Sequence, residues 1–235
     1  MLRSAAAALA FGVGACATTP NAGPDAFAAR SAANSFEAFG GAVDPPSTLL
    51  LPLVHDRQIN AVACGAHVLA SLTNYWLGAD HVSGAQIFSD RPPTDMTSGY
   101  SMAEMLTLAG EQGLLASAVR LQPAGLVREL EAGRPVLVPV RVPSVFVQGW
   151  QLPGANLPVL GIPAALVMSR SAQVAELTGQ GMLNHYVLIA GYDGETFVIL
   201  EPVMGLRTIS AARLSRYREA FGDAAIVLSP PPGAV

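Results

Sequence analysis

Two β-rich runs, Asn184 to Tyr192 and Glu195 to Glu201, flank Asp193-Gly194, and no other feature constrains the fold as much. Asp-Gly between strand-like runs is a strong hairpin signal, because both residues tolerate the positive φ of a tight turn. Both faces of each run are largely apolar, so the two strands belong at the centre of a sheet covered on both sides. The register matters as well as the pairing. A three-residue loop, Tyr192 to Gly194, would set His185 directly opposite Glu201 on one face, whereas a two-residue loop at Asp193-Gly194 would pair Glu201 with Tyr186. A bulge or the wider loop is therefore required if imidazole and carboxylate are to meet.

The rest of the chain reads as a mixed α+β unit. A short apolar run at Leu49 to Val54 predicts a strand. Cys64, Val68, Leu72, Tyr75 and Trp76 then recur on one helical face, with Gly78 as a stop. Ser101 and Glu104 form a capping box for a second helix that ends at Gly113. A strand at Leu114 to Leu121, a helix at Ala124 to Ala132 and a buried strand at Pro135 to Val140 follow. After the hairpin come a helix at Ala211 to Ala220 and a strand at Ala224 to Leu228. The connection from Val142 to Met182, rich in Pro, Gly, Gln and Trp, is longer than an ordinary loop and marks a functional insertion in which Trp150 could line a groove.

Composition excludes several functions. Apolar residues make up 51% of the 235 and charged residues 13%, a balance that builds a core rather than a disordered chain. Every basic residue is arginine, so lysine Schiff-base chemistry and the phosphate-loop lysine are ruled out. A net charge of -4 with no basic patch argues against nucleic acid as a partner.

The N-terminus reads as a targeting segment: Arg3, an apolar run from Ala5 to Val13, then small residues. That run is shorter than the roughly 20 residues that span a bilayer. Val13-Gly14-Ala15-Cys16 resembles the lipobox of bacterial lipoproteins, in which the cysteine is acylated; ordinary secretory cleavage after Ala17 is the alternative. The Ala, Gly, Pro, Ser and Asn-rich residues that follow suit a linker. The resemblance implies a lipid anchor at Cys16, and Ala17 after it implies the outer membrane facing the periplasm. Cys64 would then be the single thiol of an exported protein, which calls for a chemical explanation.

A thiol attacks as thiolate, and both a helix N-terminus and a neighbouring imidazolium lower its pKa. Cys64 sits at the expected helix start, and His185, oriented by Glu201, is the histidine that the hairpin could deliver. His67 follows Cys64 by three residues, as in a metal site, but one thiol and few histidines fall short of the three or four ligands a metal needs. His55 and His81 read as surface or strand-end residues, and Asp193 as turn chemistry.

These pieces together resemble the papain-like cysteine peptidases of the bacteriocin-leader, or double-glycine, type. The likeness is carried by Gln58 with Cys64-Gly65, by Gly99-Tyr100-Ser101 and Gln112-Gly113-Leu114, and by Gly133-Arg134-Pro135-Val136. It continues through His185-Tyr186-Val187-Leu188, Gly191-Tyr192-Asp193 and Glu201-Pro202 with Gly205. The resemblance implies Cys64 as nucleophile, His185 as general base and acid, Gln58 as oxyanion donor and Glu201 as orienting carboxylate where the family usually has aspartate. It also implies a peptide or protein substrate and no cofactor. The expected organisation is a signal peptide at 1–16, a linker at 17–46 and a papain-like domain at 47–230 with an insertion at 142–182. Two other readings are a catalytically silent relative that binds a peptide or partner protein, and a metal-binding lipoprotein.

Overall fold

The computed structural model describes residues 48–58, 60, 62–148 and 171–232. The signal segment with Cys16, the whole linker at 17–46, and Trp150 lie outside the described residues. No helix among the described residues is long and apolar enough to cross a membrane.

The described chain forms one antiparallel sheet with helices on both faces. Its strands are β1 (Thr48–Leu50), β2 (Leu115–Arg120), β3 (Val136–Pro143), β4 (Met182–Asp193), β5 (Thr196–Glu201), β6 (Gly205–Ser210) and β7 (Ala224–Ser229). They lie in the order β2-β7-β3-β4-β5-β6, and β1 pairs with β4 beyond the end of β3. The helices are α1 (Cys64–Leu77), α2 (Gly84–Asp90), α3 (Met102–Glu111), α4 (Pro123–Glu131), α5 (Ser144–Gln148), α6 at 171–178 and α7 (Ala211–Glu219).

Strand alternation sorts the core into two layers. Val187 and Ile189 of β4 face one way, with Val136, Val138 and Val140 of β3, and α4 and α7 cover them through Leu126, Leu130, Leu214 and Tyr217. Tyr186 and Leu188 face the other way and pack against Cys64, Val68, Leu69 and Leu72 of α1 and Met105 and Leu108 of α3. The two-sided apolar character of the hairpin strands is thus used on both faces.

α1 departs from the one-faced helix that its spacing suggests. Cys64 to Thr73 are all buried, because β4, α2 and α3 surround the helix. Its buried polar groups are met from the segment ahead of it. Asp56 pairs with His67 Nδ1, accepts the Gly84 amide at 3.0 Å, and gives its own amide to Ser71 Oγ at 3.1 Å. A Cβ on Gly84 would stand 2.5 Å from the His67 ring, so only glycine lets α2 start there.

The strand predicted at Leu49 to Val54 stops at Leu50. Pro52 has no N–H for a ladder, and Leu53 N turns back to Leu51 O at 2.8 Å. The central hairpin also differs in register. Its two-residue loop is Gly194-Glu195, not a turn at Asp193-Gly194 or over Tyr192 to Gly194, because Asp193 pairs with Thr196. A bulge between Ile189 and Gly191 then shifts the ladder, giving Leu188 opposite Leu200. The expected direct pairing of His185 with Glu201 is therefore corrected: continued past Leu188, the register sets Glu201 beside Val187, one pleat from His185 and on the same face.

The sheet also reaches into the insertion, through the pairs Val142↔Leu183 and Pro143↔Met182. α5 and α6 follow from this extension on either side of 149–170, which lies outside the described residues.

Candidate active site

Cys64 is the first residue of α1. Ala63 before it supplies no side-chain cap, and the first turn holds no acidic residue, so the positive end of the helix is left to the sulfur. The Gly65 and Tyr186 backbone amides both hydrogen-bond to the thiol group, as does the His185 side chain. Burial alone would push the Cys64 thiol up, yet the charge of His185 and these hydrogen bonds bring it below its ordinary 9.0.

His185 enters from β4. Burial would lower its pKa, but the facing Cys64 and the bonds to Cys64 and Glu201 prevail and hold it up at about 9. Nε2 of the ring lies 2.7 Å from Glu201 Oε1, which leaves Nδ1 for the sulfur. Glu201 is itself fixed: its Oε2 accepts the Val203 amide at 2.9 Å and the Met204 amide. Pro202 starts this turn, and the carboxylate caps it from the end of β5. All three side chains are buried, at 5% exposure for Cys64, 3% for His185 and 4% for Glu201. Chemically, such a set can hold a thiolate beside an imidazolium and move a proton at Nδ1.

The thiol opens on a cleft of about 630 Å³. Tyr100 and Met102 from the start of α3, Pro139 of β3, Asn184 beside His185, and Phe221 form part of its wall. Asn184, Phe221 and the Tyr186 amide were not anticipated. Asn184 and Tyr186 flank His185 in the sequence and could have been inferred from it. Phe221 comes from the turn between α7 and β7, which no local pattern links to the thiol.

The segment bearing Gln58 is pinned on two sides, through the Asp56 contacts with α1 and α2 and through Gln58 N on Pro202 O at 2.8 Å, and Gln58 is not among the residues that wall the cleft. Its side chain is buried, but Nε2 donates to the Asn60 carbonyl, and Oε1 has no partner among the described residues. His55 donates Nε2 to Pro202 O at 2.9 Å on the same side. His67 is committed to Asp56 and not to Cys64. Among the described residues no three His, Cys, Asp or Glu side chains gather as a metal site would need. His81 and Asp193 stand apart from the thiol, Asp193 accepting the Thr48 hydroxyl at 2.9 Å.

No protein-family model and no curated protein matches the chain. Among solved structures, a C39-like peptidase from Bacillus anthracis superposes with a TM-score of 0.50 at 15% identity, covering 78% of this chain and 98% of that one. The chain has a papain-like cysteine peptidase fold. Two further structures align at lower scores. A double glycine motif protease from an AMS/PCAT transporter, solved with a leader peptide, gives 0.47 at 19% identity, covering 78% of this chain and 95% of that one. The peptidase domain of Streptococcus ComA, an ABC transporter of quorum sensing, gives 0.48 at 17%, covering 74% and 96%. In this papain-like fold the helix bearing Cys64 and the strand bearing His185 both border the cleft.

Proposed function

We propose that the chain is a cysteine peptidase of the double-glycine type that works outside the cytoplasm, anchored through Cys16, with Cys64, His185 and Glu201 as its catalytic set. The observation that carries this reading is the buried relay from Cys64 through His185 to Glu201, opening on a cleft large enough for a peptide.

The reaction is acyl transfer. The Cys64 thiolate attacks the peptide carbonyl carbon and forms the C–S bond, while the carbonyl oxygen takes up the negative charge. As that intermediate collapses, the C–N bond breaks and His185 gives its Nδ1 proton to the departing amine. A water molecule then loses a proton to His185 and attacks the thioester, and the C–S bond breaks to release the carboxylic acid and restore the pair. Glu201 holds the ring so that Nδ1 faces the sulfur throughout. The Cys64 N–H, in the first helical turn and without an intrahelical acceptor, serves the oxyanion. Gln58 joins it once its amide leaves the Asn60 carbonyl.

The present use of that amide favours a second reading, a silent peptide-binding relative. A mixed peptide library that includes Gly-Gly sequences separates the two. Mass spectrometry should find new termini made by the wild type and none made by Cys64→Ala. A wild type that binds library peptides and cuts none contradicts the peptidase.

A further inference from the structure

His185 borders two spaces. One is the cleft it shares with Cys64; the other, which it shares with Glu201, is a second cavity of about 230 Å³. Adjacent strands build the floor, since Val142 of β3, Val187 of β4, Ile199 of β5 and Ile209 of β6 contribute side chains to it. Leu214 and Tyr217 of α7 roof it. The space exceeds the roughly 150 Å³ apolar cavity that accepts a benzene molecule.

The charges on this cavity are unequal. Glu201 is spent on His185 and on the Val203 and Met204 amides. Arg207 is exposed, gives Nη1 to the Leu206 carbonyl, and has no acidic partner among the described residues. Arg213 is half exposed, with Glu176 no nearer than 4.0 Å, and Glu176 already accepts the Tyr217 hydroxyl. A largely apolar interior, with the mutually paired His185 and Glu201 in its wall, therefore meets two exposed guanidinium groups, Arg207 and Arg213.

We propose that this cavity binds a small amphiphilic carboxylate, with a tail of about eight carbons between the sheet and α7 and a head paired with Arg207 and Arg213. A neutral hydrocarbon would use the walls and leave the guanidinium groups alone, and an alkylammonium would be repelled by them. The site needs no thiol chemistry, so it stands or falls separately from peptide cleavage.

The test uses the whole chain with sodium octanoate, followed by native mass spectrometry and calorimetry. One octanoate should bind per chain, saturably, with Cys64→Ser unchanged. Affinity should fall at least tenfold in the double variant Arg207→Glu/Arg213→Glu, whose exposed positions leave the core intact. Absent or non-saturating binding, equal binding of octylammonium, or full binding by the double variant would overturn the proposal. So would a dimer with no added mass, which would mean that a second copy covers the cavity.

Discussion

His185 Nε2 lies 2.7 Å from Glu201 Oε1, although the two residues are not cross-strand partners. The bulge at Ala190 makes the contact. Without it the register set by Asp193 and Thr196 would place Glu201 beside Leu188, on the face that packs against α1 and away from His185. With it, the carboxylate falls on His185's face, and the turn at Pro202 to Met204 clamps its second oxygen. Glu201→Gln keeps the shape but removes the charge that stabilises the imidazolium. Alkylation of Cys64 near neutral pH should slow about tenfold, the equivalent of one pKa unit. An unchanged rate would mean that Glu201 does not act on the pair.

The thiol and imidazole should titrate as a coupled pair. Cys64 is held below 9.0 and His185 at about 9, so thiolate and imidazolium coexist between those limits. Lowering the pH through the depressed Cys64 value protonates the thiolate; raising it past about 9 deprotonates the imidazolium. Ultraviolet thiolate absorbance should therefore appear below pH 9, and the His185 NMR signals should titrate near 9. A His185 titrating near the ordinary 6.5 would contradict the ion pair.

β1 pairs with β4 at a point where only glycine fits. A Cβ on Gly191 would stand 2.1 Å from Leu49 O and 2.9 Å from Leu50 Cα, both backbone. Gly191→Ala should cost about 1–3 kcal/mol, as over-packing of a tight site does. The urea midpoint reads this directly, and an unchanged midpoint would show that β1 can leave without loss.

Asp56 ties α1, α2 and the segment bearing Gln58 together. Asp56→Asn should cost about 1.5–3 kcal/mol, the range for hydrogen bonds to a charged group. Burial raises the Asp56 carboxyl, but His67 and the Gly84 amide outweigh it and hold it below 3.8. Its contribution is therefore present above pH 3.8 and lost as the pH falls through the depressed value. Melts of wild type and Asp56→Asn should converge in strong acid; a gap that persists there would contradict this assignment.

Much of the fold was legible because local rules and tertiary packing agree. Ser101 and Glu104 form the reciprocal cap that their spacing implies, and Gly113 ends that helix at positive φ. The two-sided apolar strands at β4 and β5 do sit inside the sheet. Register was less legible, since the turn moved by one residue and the bulge moved the ladder back, two shifts that Asp193-Gly194 cannot encode. β6 escaped notice because an edge strand with one covered face carries few apolar residues, here Leu206 and Ile209. α2 is short, and its signal is a Ser83 cap on the Gln86 amide. At the site, Cys64, His185 and Glu201 were legible as residue types in order. The Tyr186 amide and the Phe221 wall depend on distant packing and were not.

The most direct measurement is the rate at which iodoacetamide alkylates Cys64 at neutral pH, in wild type and in His185→Ala. Labelling should be faster than that of free cysteine and should fall at least about tenfold when His185 is removed. A wild-type thiol no faster than free cysteine, or one indifferent to His185→Ala, would contradict an armed Cys64.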